Sequence, residues 1–309
     1  MRTITMTPKQ IEKLKKLPIS NEVTNTESII YRTDTLPKNK VPEGTLLKYL
    51  YIKDKESFAN KLYTVEMLGS YGPKLGIKEL VIPEALVSVE NQAVGFTIPE
   101  IKNSTNLGII LKDPKIDKDK KMELLRKVGE LLKKTQNLDK YGINFYFNDV
   151  HEFNFLVDND TQDIYAIDLD SSSFSKDHPL CSYYMITNPN IHQLQNKYKI
   201  TPEKLSYPDH NADLFCYTMM VINTIADYKV SKLSMEEYYL YLEYLRNLGF
   251  GENLINAFIS VYTNADNKNV SDFFDEIPTG QLYRASYHVY NAINKKNKVG
   301  TLWKKQYQI

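Results

Sequence analysis

Cysteine is nearly missing from this chain: Cys181 and Cys216 are the only two. Two thiols exclude a disulfide framework and a cysteine-built metal centre. They read instead as small hydrophobes, buried or half-buried. Long apolar runs are missing too, and none approaches the ~18 residues that a membrane-spanning helix needs. The opening stretch MRTITMTPKQIEKLKKLPI lacks the apolar core of a secretory leader. The expectation is therefore a cytoplasmic protein, acting in the producing cell or in a host cell. No excess of one charge exists, with 39 Lys and Arg against 38 Asp and Glu. That balance gives no electrostatic reason to expect nucleic acid or an anionic membrane as partner. Repeats and low-complexity linkers are absent as well. What is present, 42% hydrophobic and 25% charged residues in 309 positions, suits one large globular domain or two lobes with a sizeable core.

The first hundred residues read as strand-rich. Thr7 before Pro8 is placed as the N-cap of a short basic helix. SIIYR (Ser28 to Arg32) and TLLKYLYI (Thr45 to Ile52) predict strands, separated by a turn-rich Pro37 to Gly44. Phe58, Leu62, Val65 and Leu68 recur at helical spacing, so Lys55 to Leu68 predicts a helix. Glu79 to Leu86, an edge or bulged strand because of Pro83, and Gln92 to Ile98 complete the order strand, strand, helix, strand, strand. After Pro99 the texture becomes helical. Asp117 to Gln136 carries Met122, Leu125, Val128, Leu131 and Leu132 on one face. Asp213 to Ile225, Ser234 to Leu248, Asn253 to Tyr262 and Ala285 to Lys295 are further helices. The expected fold class is α+β: a small sheet-based lobe over 1–99 and a larger helical lobe over 100–309.

Between the helices lies FNDVHEFNFLVDNDTQDIYAIDLDS, Phe147 to Ser171. Asp149 and Asn154 sit on a loop entering a strand, which turns at Asn159 and Asp160 and returns to Asp168. A short hairpin brings its two ends together, so Asp149, Asn154 and Asp168 are expected to converge. Such a set suits phosphoryl transfer. That reaction asks the protein for magnesium ligands and for one carboxylate aimed at the attacking hydroxyl. Magnesium prefers carboxylate, amide and water oxygens, which Asp168 and Asn154 can supply. Asp149 can accept the hydroxyl's hydrogen bond and orient it.

DVHEFNFLVD followed by AIDLD resembles the catalytic loop and metal-binding segment of the protein-kinase-like superfamily. That superfamily includes eukaryotic-type protein kinases and the aminoglycoside and choline phosphotransferases. The resemblance implies a two-lobe fold with a small antiparallel-sheet N-lobe over 1–99 and a helical C-lobe over 100–309. It implies ATP and Mg2+ as cofactors, Asp149 as the catalytic Asp, and Asn154 and Asp168 as metal ligands. Lys48 matches the strand lysine on the ATP phosphates. Glu66, on the following helix, is placed like the Glu that pairs with it, with Glu56 a competitor at the helix start. QAVGFTIPEI resembles the last N-lobe strand and hinge, with adenine on backbone groups near Ile98 to Glu100. Asp213 matches the helix Asp that braces the catalytic loop.

Departures accompany the matches. No G-x-G-x-x-G occurs, and Gly44 is the only glycine before Lys48; the phosphate-covering loop falls near Ser20 to Thr26. Phe147 stands where a His is usual. Leu169-Asp170 follows Asp168 in place of Phe-Gly. Pro208-Asp209 is at best a remnant of Ala-Pro-Glu. His151 and the IDLD segment are similar to small-molecule kinases, whereas the position of Asp213 is similar to protein kinases. The expectation is a divergent Ser/Thr-type protein kinase acting on a protein hydroxyl. The alternatives are a small-molecule kinase and a nucleotide-binding pseudokinase acting as an interaction protein.

Overall fold

In the computed structural model, residues 1–16, 27–37, 41–175, 210–263 and 267–294 are described. They form two compact units. The first holds residues 1–108 and 140–147 and the segment from Phe153; the second holds 109–139, 148–152 and the helices from His210 onward. The hairpin that was expected within 100–309 therefore groups with the first unit.

The first unit is built on a six-stranded sheet in the order β1-β5-β6-β4-β3-β2. Its strands are β1 (Arg2–Met6), β2 (Lys15–Lys16), β3 (Ser28–Arg32), β4 (Thr45–Leu50), β5 (Ala85–Val89) and β6 (Gln92–Pro99). The pairings from β2 through β5 are antiparallel, but β1 runs parallel to β5. The sheet is thus mixed, which corrects the antiparallel expectation. In β1 alternate residues Ile4 and Met6 are buried, the period-2 pattern of a half-buried strand. Between β1 and β2, helix α1 (Pro8–Glu12) starts as expected, with a capping box between Thr7 and Gln10. Ile4, Met6, Leu14, Leu36, Val41, Leu47, Ala85 and Val87 pack together as one core cluster.

Helix α2 (Lys55–Tyr71) begins at its N-cap Asp54, whose carboxylate accepts the Ser57 N–H at 2.7 Å. Its apolar stripe meets the sheet through a second cluster of Leu50, Val65 and Phe96, joined by Phe58, Leu62, Leu86 and Ile98. The strand expected over Glu79 to Leu86 starts only at Ala85. Pro83 lacks the N–H that a ladder needs. Glu79 and Val81 instead exchange hydrogen bonds with Ala166, 2.8 Å and 2.9 Å, forming an isolated bridge at Leu80.

Three short strands complete this unit's second sheet: β7 (Ser104–Asn106), β9 (Phe155–Asp158) and β10 (Ile164–Ala166), in the order β10-β9-β7. The β9–β10 hairpin is the one expected around Asn159 and Asp160. Its turn closes where the Asp158 carboxylate accepts the N–H groups of Asp160 and Thr161 at 2.8 Å and 2.9 Å. A further pair, β8 (Asn144–Tyr146) with β11 (Ser173–Ser175), is antiparallel.

The second unit is helical. After the short α3 (Leu107–Lys112), where the chain passes from one unit to the next, come α4 (Lys118–Gln136), α5 (His210–Ala226), α6 (Met235–Asn247), α7 (Glu252–Ile259) and α8 (Leu282–Asn294). The apolar face expected on α4 is buried at Met122, Leu125, Val128, Leu131 and Leu132. Buried tyrosines knit the helices by giving their hydroxyls to carbonyls. Tyr217 donates to Leu125 at 2.6 Å and Tyr238 to Phe258 at 2.8 Å. Cys216 is buried; Cys181, Lys295, Ser20 to Thr26 and Pro208-Asp209 lie outside the described residues. Among the described residues, no helix is long and apolar enough to cross a membrane.

Candidate functional site

In the first unit Lys48, on β4, is a lysine in a sheet interior, only 5% exposed. A buried ammonium must have anionic partners. Lys48 finds two on the segment that follows β10. Its Nζ donates to Asp168 Oδ1, 120 residues away, and to both oxygens of Asp170, at 2.9 Å and 3.0 Å. The Phe96 ring lies beneath the ammonium, 5.7 Å to its centroid. Burial works against the Lys48 charge, but Asp168 and Asp170 outweigh it and hold the group above its ordinary value.

The two aspartates differ in surroundings. Asp168 occupies the left-handed region (φ 61°, ψ 39°) just before a 3-10 turn over Leu169–Ser171. A non-glycine residue there is uncommon, and aspartate is among the few that tolerate it. Its side chain is 41% exposed, whereas that of Asp170 is fully enclosed at 0%. Burial pushes the Asp168 carboxyl up to about 6; Lys48 opposes this and Asp170 adds to it. Its exposure to water tempers that push. Asp170 goes the other way. Burial favours its neutral form, but Lys48 and then Lys61 hold it well below the usual carboxylate range. Asn154 adjoins Asp168 through the backbone, its carbonyl accepting the Ile167 N–H at 2.9 Å. Its side chain is buried.

The expected Lys48–Glu66 pair is not made. Glu66 is exposed, and the α2 residue that reaches the cluster is a cation. The Lys61 Nζ lies 3.2 Å from Asp170 Oδ2 and 2.8 Å from Glu27 Oε2. Lys61 sits three residues after Phe58 and four before Val65, inside the buried stripe of α2, while Glu66 falls outside it. A charge within an apolar stripe was the available signal for Lys61. Asp170 had one too: it is the departure from Phe-Gly after Asp168.

Ile98 and Glu100 are placed differently from what an adenine contact would ask. The Glu100 N–H donates to the Gly44 carbonyl at 2.7 Å, and the Glu100 carboxylate pairs with Arg32 at 3.0 Å. Ile98 stands opposite Leu46 on β4 and packs against the Leu50 cluster. Backbone groups alternate sides along a strand, and the Thr97 carbonyl accepts from Glu84 beside β5. Ile98 and Glu100 therefore turn their N–H groups to the β4 side, and Pro99 has none.

In the second unit Asp149 is partly buried, with His151 Nε2 3.6 Å from its Oδ2. The residue before it, Asn148, is also left-handed (φ 61°). Its N–H donates to the buried Asp213 carboxylate at 2.9 Å, the bracing contact expected of Asp213. Burial, then Asp213 and Asp149, push the Cys216 thiol well above its ordinary value. That suits an inert core residue rather than a nucleophile.

Among the described residues, no group of three or more His, Cys, Asp or Glu could hold a metal ion. A magnesium that rides on nucleotide phosphates and waters needs only one or two protein oxygens. A partly exposed Asp168 fits that demand, and Asn154 meets the segment before it through its backbone carbonyl. In comparisons with known proteins, the chain matches no protein-family model and no curated protein sequence.

Proposed function

We propose that the protein is an ATP- and magnesium-dependent phosphotransferase of the protein-kinase-like kind, moving a γ-phosphate to a protein hydroxyl. The observation that carries this reading is the meeting of Lys48 with Asp168. A buried strand lysine and a partly solvated carboxylate at the end of a hairpin are the two charges that a nucleotide's phosphates and magnesium require, side by side. The strand order, with the helix after the lysine strand lying against the same sheet face, supports the same reading. Asp168 and Asn154 would hold the magnesium, and Lys48 would contact phosphate oxygens. When bound, magnesium supplies charge neutralisation at the transferred group. Asp149 accepts the hydrogen bond of the attacking hydroxyl and orients it, a role assigned by resemblance. Adenine would be recognised by groups other than the Ile98 and Glu100 N–H, which face β4.

A second reading, a small-molecule kinase of the aminoglycoside or choline type, is favoured by His151 beside Asp149. Incubation with radiolabelled ATP and magnesium separates the two. The assay contains the protein alone, a generic protein substrate, or a panel of small-molecule alcohols. Label on protein is the expected result, and label on an alcohol selects the second reading. ATP binding with no transfer would make the protein a nucleotide-binding scaffold. Neither binding nor transfer would remove the phosphotransferase reading.

A further inference from the structure

We propose that Asp170 and Lys61, and not Glu66, hold Lys48 in its working position: Asp170 anchors the ammonium, and Lys61 fastens that anchor to α2. The inference rests on the phosphotransferase reading and deepens it at the same cluster.

The geometry assigns the roles. Asp170 grips Lys48 with both oxygens, at 2.9 Å and 3.0 Å, from a side chain that no solvent reaches. Asp168 touches the same ammonium but is 41% exposed, so it is the carboxylate that a cation can reach from solvent. A lysine whose partners were Asp168 alone would lose its anchor at that moment. Asp170 leaves Lys48 one fixed, enclosed counter-charge throughout. Asp170 is itself held on two sides. Its 3-10 turn is closed by Ser172, whose N–H and hydroxyl both donate to the Leu169 carbonyl at 3.0 Å and 2.5 Å. Its Oδ2 meets Lys61 at 3.2 Å, and Lys61 is tied in turn to Glu27 at 2.8 Å.

The polarity of the expected arrangement is thereby reversed. There the helix supplies an anion to the strand lysine; here the helix supplies a cation to an anion that grips the lysine. The mechanical outcome is the same. Lys61 lies in the buried stripe of α2, so a shift of that helix moves Lys61, then Asp170, and with it the Lys48 ammonium. Asp170 and Lys61 are positioning residues, acting through Lys48.

The test uses the full chain with Glu66→Gln, Lys61→Gln, Asp170→Asn and Asp170→Glu. Two readouts are taken: kcat and KM for magnesium-ATP, and the Lys48 ammonium signal in 15N-lysine-labelled protein, assigned by its loss in Lys48→Arg. Misplacing a reacting group by about an ångström costs on the order of 100-fold. Asp170→Asn should lower kcat by about that factor with KM little changed, and Asp170→Glu should recover part of it. Lys61→Gln should lower kcat about 10-fold, a partial displacement of the same kind, and should move the Lys48 signal. Glu66→Gln should leave both readouts alone. A Lys48 signal that responds to Glu66→Gln and ignores Lys61→Gln overturns the proposal. If Asp170→Asn does not fold, the Lys61 and Glu66 variants decide by the same readouts. A wild-type protein that neither binds nor turns over magnesium-ATP ends the phosphotransferase reading. The ammonium signal would then still judge the anchor by itself.

Discussion

Lys48 and Asp168 stand out in the sequence because each sits in a local pattern, a strand or a hairpin end, and the structure brings the two together. Asp170 and Lys61 carry only weak local signals, a departure from Phe-Gly and a charge within an apolar stripe, because their role arises from ion pairs with residues far away in the chain. Glu66 lies on the helix that follows the Lys48 strand, but helical phase turns it outward. Two predictions belong to this scale. If Asp149 orients the attacking hydroxyl, Asp149→Asn should lower turnover by ~100-fold or more, the size of a positioned general base, with nucleotide affinity nearly unchanged. Wild-type turnover in that variant would dismiss the role. The second concerns Asp168, whose carboxyl is pushed up to about 6. The folded chain then binds this proton more tightly than the unfolded chain, whose ordinary value is 3.8. The stabilisation is present at low pH and is lost as pH rises from about 4 through about 6. Asp168→Asn removes that loss and keeps a residue tolerated in the left-handed region. The variant should gain on the wild type between pH 4.5 and pH 7.5 in urea titrations. With 41% of the side chain in solvent, the gain should be no more than about 1 kcal/mol. It should also be inactive. A pH-independent difference in stability would refute the assignment of that carboxyl.

At the scale of elements, the strands with clean alternation and the helices with clean apolar stripes were readable, and so was the hairpin. β1 was not, because its parallel partner β5 lies some eighty residues on and a helix N-cap at Thr7 follows it directly. Glu79 to Pro83 differs for another reason: Leu80 and Val81 are buried and tied to β10 by a single bridge, so burial without a ladder imitates a strand. The β4–β6 pairing contains a detail that reaches the site. A Cβ on Gly95 would collide with the Lys48 carbonyl oxygen and crowd Tyr49 Cα. Those atoms are backbone and cannot swing away. Gly95→Ala should therefore push β4 and β6 apart where Lys48 projects, costing about 1–3 kcal/mol as an overpacked core does and weakening nucleotide binding along with stability. Thermal and urea unfolding, read beside magnesium-ATP binding, check both halves. A variant as stable as the wild type would mean that the sheet absorbs the added methyl and that this close approach is not a constraint on the site.

For the whole molecule, the sequence pointed to a sheet-based part and a helical part. The exchange of residues 140–147 and the β9–β10 hairpin into the sheet-based unit was not legible, because it depends on pairings such as Ala166 with Glu79 and Val81 that join distant stretches. The grouping has a thermodynamic consequence. Lys48, Asn154 and Asp168 all belong to the first unit, so a nucleotide held by them is linked to the folding of that unit. A ligand that binds the folded chain and not the unfolded one adds RT ln(1 + [L]/Kd), about 2.7 kcal/mol at one hundred times Kd. For a cooperative unit of one to two hundred residues, that is an upward shift of several degrees in the melting midpoint, on the order of 2–4 °C or more per kcal/mol. Magnesium-ATP should produce this shift, and ATP with a chelator should produce less, because Asp168 then faces the phosphates with no cation between like charges. Asp168→Ala should reverse that order, since it removes both the metal ligand and the repulsion. ATP alone should then stabilise the variant at least as well as magnesium-ATP does. Asp149→Asn, by contrast, should keep the wild-type shift, since that side chain need not touch the nucleotide. Calorimetric scans of the three proteins, without ligand and under the two conditions, give nine midpoints. A magnesium-ATP shift of the same size in Asp168→Ala as in the wild type would place the cation elsewhere and leave Asp168 as no more than a partner of Lys48.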